Sequence, residues 1–280
     1  MKYQKHPELQ EYYQNIKKSP EEIGAHRDPA TWFGMMEDLD GRIGVILDKI
    51  KELGIEDNTY VVVTSDNGIR NPIWTEQLGV PIHGTKWWAW QGGIRVPMIV
   101  KGPSIEAGST FVDNIVRYDM LPTFVDWAGG DPSELEDIDG RILAGYLRGD
   151  SPAADFSNRY LYFHYPHYRT ALPHSAIVSN NLKVVHVWES PDVPMLFDLA
   201  VDEGERNNIA RERPADHKRL LDEMMRYFRE VRARLPKVNP DYRATAYEAH
   251  SRYQDRVQYG AFEGERPLAD DEREYQDAGI

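Results

Sequence analysis

The 280-residue chain has no cysteine, so no disulfide can staple it and redox chemistry leaves its compartment open. It has no apolar run approaching the roughly 20 residues of a membrane-spanning helix. Its opening, MKYQKHPELQ, is too polar for a secretory leader, and the chain as given reads as soluble. Cations are short: 33 Lys and Arg stand against 46 Asp and Glu, a net charge of −13. That balance argues against nucleic acid as a partner, because phosphate neutralisation needs clustered Lys and Arg. It does not exclude an anionic substrate, since local charge governs a cleft while the total concerns solubility and steering. Repeats and low-complexity segments are lacking until residues 262–280, a strongly acidic stretch read as a solvated extension. The remaining length is enough for a substantial core in one large or two modest domains.

What is present is organised around residues 59–103. The apolar run TYVVVTS stops abruptly at Asp66-Asn67-Gly68; a loop, His83-Gly84-Thr85-Lys86 and then QGGIRVPMIVKGP follow. A hydrophobic run ending in a carboxylate, a carboxamide and a glycine reads as a buried strand whose carboxyl end delivers two oxygens into a cleft. Asp66 and Asn67 are hard donors of the kind Ca²⁺ or Mg²⁺ accepts, and Gly68 lets the backbone turn beside an ion. Two ligands do not make a site, because Ca²⁺ takes about six to eight oxygens. Lys86, on a loop dense in Gly and Trp, offers a compact cation for an anionic substrate. His83 stands three residues earlier, placed either to donate a proton to a leaving oxygen or to hydrogen-bond the backbone. Each piece has a plainer reading: Asp-Asn-Gly as a turn, Lys86 as a solvated side chain, Arg95 as a structural ion-pair partner.

In this order the pieces resemble one family. LDGRIGVILDKIKELGIEDNTYVVVTSDNG, the lysine in HGTKWWAWQGGIRVPMIVKGP, and YDMLPTFVDWAGG closely resemble the sulfatases, the arylsulfatase type of sulfuric-ester hydrolase in the alkaline-phosphatase superfamily. The resemblance runs from about residue 6 to about residue 242. It implies a Ca²⁺-dependent hydrolase in which Asp66 and Asn67 match two metal ligands and Lys86 matches the lysine that contacts the sulfate. It also implies a formylglycine nucleophile, made from the Cys or Ser of Cys/Ser-x-Pro-x-Arg, whose hydrated aldehyde attacks sulfur. Neither form of that motif occurs here. A smaller departure is Gln91, where the family usually has Glu before Gly-Gly. The chain therefore reads as the C-terminal portion of a sulfatase, without the half that carries the nucleophile and further metal-binding aspartates. By itself it is expected to be inactive, to bind Ca²⁺ weakly and to expose apolar surface. Its expected partners are a sulfate-ester substrate and a missing N-terminal half or a second protomer, with no membrane among them. Two other readings stay open: a phosphate-ester hydrolase of the same superfamily, and a non-catalytic fragment or accessory subunit.

The fold expected is α/β, the C-terminal part of a sulfatase-like mixed sheet flanked by helices, followed by a smaller α+β subdomain with an antiparallel sheet and a long helix. The divisions read as 1–140, 141–244 and an acidic tail over 245–280. A short helix is expected around residues 7–17, where His6 and later His26 read as exposed loop histidines. Asp28-Pro29 starts a helix in which Trp32, Met36, Leu39, Ile43, Ile46, Ile50 and Leu53 form one buried stripe, stopped by Gly54. Asp38 and Asp40 read as solvated, since residues two apart on a helix do not face each other. Strands are expected over 59–65 and 96–101, and a strand or extended segment in SIEAGSTFVDNIV. Trp74, Trp87, Trp88 and Trp90 line a substrate pocket or pack their loop down, the second being the commoner use. Helices are expected over 119–128 and 142–147, with the best internal boundary at 129–140. YLYFHY, HSAIVS, LKVVHVW and MLFDL read as a small antiparallel sheet, and the helix opened by Pro214 presents Leu220, Leu221, Met224, Met225, Phe228, Val231 and Leu235 to one side of it. His164, His167 and His174 have spacing that would suit a metal. The family resemblance favours substrate contact instead, with His167 the candidate, and structural histidines are the plainer alternative.

Overall fold

The computed structural model describes residues 29–69, 82–150, 155–167 and 171–237. The helix expected near residues 7–17, His6, His26, Trp74 and the acidic tail lie outside them. The chain divides into two units: one runs to Val63 and resumes over Ile99–Ala107, and the other takes Thr64–Met98 and everything from Gly108.

The first unit opens with helix α1, Pro29–Glu52, with Pro at its first position and Lys49 and Lys51 in its last turn, where cations suit the helix dipole. Gly54, at φ 66°, ends it, its N–H donating to Lys51 O at 2.9 Å. The apolar stripe is present but not buried. Met36, Leu39, Ile46 and Leu53 are 42%, 49%, 58% and 59% exposed, which corrects the expectation of a core-facing helix. Periodicity reports a face able to be buried; it does not supply what buries it. Asp38 pairs with Arg42 at 2.8 Å on the surface, and Asp40 is exposed, as expected. A 3-10 turn, Glu56–Asn58, leads to strand β1, Val61–Thr64, shorter than the expected 59–65. β1 pairs with β2, Met98–Lys101, in a two-stranded sheet. Gly102 then lets the backbone pass Tyr60, whose ring a Cβ at that position would strike, and Tyr60 donates its hydroxyl to Pro103 O at 3.2 Å. No strand forms over residues 104–116.

The second unit is built on an antiparallel sheet in the order β3–β4–β5–β6: Tyr160–Tyr165, His174–Ser179, Leu182–Val187 and Met195–Asp198. Every residue of β4 and β5 is buried, because both faces of the sheet are covered. On one face Ala176, Val185, Val187, Met195 and Phe197 pack with Trp88, Ala89 and Trp90. On the other, Ile177, Val184 and Leu196 pack with the long helix Pro214–Glu230 through Leu220, Met224 and Phe228. That helix buries its face as the sequence pattern indicates, although Val231 and Leu235 stand exposed beyond its end. Ahead of this sheet in sequence lie helix Met120–Trp127 and the helical turn Ala144–Leu147, each two residues shorter than expected. Asp119 organises this stretch from full burial: its carboxylate accepts from Val116 N, Arg141 N and the Arg159 guanidinium. Among the described residues no helix is long and apolar enough to cross a membrane.

Candidate functional site

Two loops of the second unit meet, one beginning at Thr64 and one carrying His83–Gly93. Thr64 donates its hydroxyl to Pro97 O at 2.9 Å and Ser65 its own to Asn67 O at 3.0 Å, fixing a turn on which Asp66 is exposed and Asn67 half-buried. Gly68 N then donates to Gly93 O at 3.0 Å, while Lys86 N and the Thr85 hydroxyl both donate to Ile69 O, at 2.7 and 2.8 Å. The Asp66-Asn67 segment and the His83–Lys86 segment are therefore laced backbone to backbone. Glycine makes this approach possible. A Cβ on Gly68 would overlap Gly92 O, one on Gly92 would overlap Gly84 O and His83 O, and one on Gly93 would overlap Thr85 O and Trp88 O. The obstacles are main chain, which cannot rotate away, so the Gly-Gly of QGGIRVP is needed for van der Waals reasons.

Buried groups of the sheet hold the lysine loop in place. Ala89 N donates to His174 Nε2 at 2.8 Å, and His174 Nδ1 donates to Leu172 O at 2.7 Å, a pair of roles that requires the neutral ring. Burial lowers the His174 pKa to about 4, keeping it neutral at physiological pH. Two residues further on, Gln91 N donates to Glu205 Oε2 at 2.7 Å, and Glu205 Oε1 pairs with Lys183 Nζ at 2.5 Å. Both side chains of this ion pair are fully enclosed; burial pushes Glu205 up and Lys183 down, and each partner's charge opposes the shift of the other. A carboxylate thus sits beneath Gln91, contributed by Glu205 rather than by residue 91. Removing one member of such a pair strands a buried charge.

Of the residues singled out in the sequence, Asp66, Asn67, His83 and Lys86 come together on these two loops. Lys86 is half-buried, with Nζ 5.6 Å from the centroid of the Trp87 ring. His83 presents its ring edge-on to Trp90 at 6.4 Å; burial, with the charges of Arg206 and Lys183, lowers its pKa to about 4. His167 is exposed and is linked to the lysine loop by a row of rings: His167 to Tyr165 at 5.4 Å, Tyr165 to His174 at 5.8 Å, His174 to Trp90 at 5.1 Å. His164, bonded to the Ser175 hydroxyl and Arg234 O, and His174 are structural. Arg95 makes the ion pair expected of it, with Glu203 at 3.0 Å. Trp88 and Trp90 pack the core, 8% and 1% exposed. The donor chemistry of Asp66 and Asn67 suits Ca²⁺, but they offer at most three side-chain oxygens of the about six to eight it takes. Among the described residues no group of three His, Cys, Asp or Glu is gathered to hold an ion.

Sequence reasoning missed the supports Lys183 and Glu205, while His174 takes the structural role that was the plainer alternative for it. One signal was available: in the β5 run LKVVHV, alternation puts Lys183 on the same face as Val185 and Val187, and a lysine there has to find a buried partner.

The family model described as "N-sulphoglucosamine sulphohydrolase, C-terminal" matches residues 83–234, and the model described as "Sulfatase" matches residues 2–130. An N-acetylglucosamine-6-O-sulfatase of Bacteroides thetaiotaomicron is 30% identical over 212 residues, covering 74% of this chain and 36% of the relative. The steryl-sulfatase of Mus musculus is 30% identical over 233 residues, covering 71% and 37%. A solved complex of a protein with its substrate D-glucosamine-2-N,6-O-disulfate matches with a TM-score of 0.60 at 27% identity, over 80% of this chain and 45% of that one. A phosphonate monoester hydrolase from Silicibacter pomeroyi, at TM-score 0.57 and 22% identity over 79% of this chain and 46% of that one, shares the fold. The chain spans well under half the length of these curated relatives. With both family models matched in succession along its length, the chain belongs to the sulfatase family and carries that family's C-terminal portion.

Proposed function

We propose that the chain supplies one wall of a sulfuric-ester hydrolase site. Asp66 and Asn67 furnish two ligands of a Ca²⁺ ion, with Mg²⁺ as the alternative, and Lys86 holds the sulfate oxygens of a monoester. The observation that supports this most is the glycine-mediated lacing, which fixes the oxygen donors and the lysine relative to each other through main chain rather than through mobile side chains. A bound divalent ion supplies Lewis-acid stabilisation of charge on the sulfate oxygens. Lys86 adds a preformed cation for the same oxygens, which favours the transition state where charge accumulates. His83, neutral at pH 7 by virtue of its burial, serves as a hydrogen-bonding imidazole beside the ester rather than as an imidazolium. His167, at the exposed end of the row of rings, contacts the outer part of the substrate.

The nucleophile is proposed to come from elsewhere, because no Cys/Ser-x-Pro-x-Arg stands in the sequence. A nucleophile-bearing N-terminal half or a second protomer would complete the ligand set, and the chain alone has no turnover. In this reading residues 1–140 belong to the catalytic domain, 141–244 to the smaller subdomain and 245–280 to an acidic tail. Saturation-transfer titration of phenyl sulfate onto the chain tests the lysine directly. The wild type is expected to bind at millimolar concentration, and Lys86→Ala to bind at least about ten-fold more weakly with an unchanged melting temperature. Equal loss of binding and stability would remove Lys86 from the site. Stronger binding of phenyl phosphate would favour the phosphate-ester reading, and binding of neither would favour an accessory subunit.

A further inference from the structure

Trp87 follows Lys86 directly and has φ 78°, in the left-handed region that bulky side chains rarely adopt. Trp88 N donates to Thr85 O at 2.9 Å, closing a four-residue turn with Lys86 and Trp87 at its centre. Positive φ at the third position of such a turn is where glycine is normally required. Among the described residues five glycines and five other non-glycine residues, Ser104, Asp137, Asn180, Glu205 and Arg232, also have positive φ, and Trp87 is the aromatic one, with the largest φ of the non-glycine set. Core packing accounts for the neighbours, since Trp88 and Trp90 are buried; Trp87 lies only partly buried at the edge of the same cluster. Backbone strain of this sort persists where surroundings impose it and gathers at ligand sites. What stands beside this residue is the Lys86 ammonium, 5.6 Å from the indole centroid.

We propose that Trp87 is a specificity-determining residue: its indole forms a ring subsite beside Lys86, taking the apolar face of the aryl or pyranose ring that bears the sulfate. The inference rests on the reading of Lys86 as the sulfate contact. An oxyanion held at about 2.8 Å from Nζ on the indole side leaves the ring it esterifies within reach of the indole face. An aromatic face there rewards a ring and is indifferent to a bare anion. The strained turn fixes where the indole stands relative to the ammonium, so ring and charge are presented as a unit.

The test compares wild type, Trp87→Gly, Trp87→Phe and Lys86→Ala of the 280-residue chain. Saturation-transfer titration is done with phenyl sulfate and with a glucosamine 6-sulfate, and inorganic sulfate is the competitor. Trp87→Gly relieves the left-handed strain, so its melting temperature is expected to stay level or rise. Its affinity for the ring-bearing esters is expected to fall about three- to ten-fold while competition by inorganic sulfate is unchanged. Trp87→Phe, which keeps a ring, is expected to retain most of the affinity. The ester that loses more in Trp87→Gly identifies the ring class. A lowered melting temperature in Trp87→Gly with unchanged ester affinity would overturn the proposal and assign Trp87 to packing. Ester affinity indifferent to Lys86→Ala would instead overturn the reading of Lys86 itself, and the subsite with it.

Discussion

His174 shows how a single side chain can set both the stability and the shape of the site. It is 0% exposed, donates from Nδ1 to Leu172 O and accepts at Nε2 from Ala89 N on the lysine loop. Protonation would turn that acceptor into a donor facing a donor. Its pKa is lowered from 6.5 to about 4 by burial, so between those values the unfolded chain takes up protons that the folded chain refuses. The contribution is complete above pH 6.5 and is lost as pH falls towards 4, a change on the order of 3 kcal/mol for one fully buried ring. His83 and His186, also lowered to about 4 by burial, act in the same sense. The melting temperature is therefore expected to drop steadily from pH 6.5 to pH 4, less steeply in His174→Gln; a flat wild-type profile would count against it. Asp66, Asn67 and Lys86 could be proposed from the sequence because they lie in short contiguous motifs. The pairings of His174 and Glu205 could not, because their partners Ala89 and Gln91 lie 85 and 114 positions away, and no local pattern announces such a contact.

At the scale of elements, the glycines separate sites from scaffolding. Gly92 faces Gly84 O and His83 O with no room for a methyl group, whereas Gly41 in α1 has nothing within 4 Å of the corresponding position. Gly92→Ala is expected to cost about 3 kcal/mol in denaturant unfolding through overpacking. Gly41→Ala is expected to gain about 0.5 to 1 kcal/mol by stiffening the unfolded chain and the helix. Comparable small effects at both would contradict the interlocked-loop account. Helix and strand existence followed from periodicity: the alternating runs became β3–β6, and the Pro214 pattern became a buried helix face. The same periodicity in α1 was read as burial and was wrong, because Ile46 at 58% exposure and Leu53 at 59% have the spacing of a core stripe without a core against it. Strand ends were also overextended, since the β-branched Thr59 and the aromatic Tyr60 continue the composition of a strand beyond its observed start at Val61.

For the whole molecule, length and exposed surface point the same way. The chain covers 36% and 37% of two curated relatives, and its first unit displays Met36, Leu39, Val45, Ile46 and Leu53 on α1 and Ile99 on β2 to solvent. Apolar surface of this extent is expected to bind a hydrophobic dye and to drive concentration-dependent association at micromolar concentration. A monodisperse, dye-silent monomer would contradict that. On the proposed reading, Asp66, Asn67 and Lys86 bind a sulfate ester and a calcium ion only weakly, and no Cys/Ser-x-Pro-x-Arg in the sequence provides the family's nucleophile. The most direct test is hydrolysis of an aryl sulfate by the purified 280-residue chain in millimolar Ca²⁺, with Lys86→Ala in parallel. The account predicts no turnover by either protein alone. Turnover by the wild type that Lys86→Ala abolishes would mean that this chain carries a complete site of its own, and would contradict the claim that it supplies only one wall.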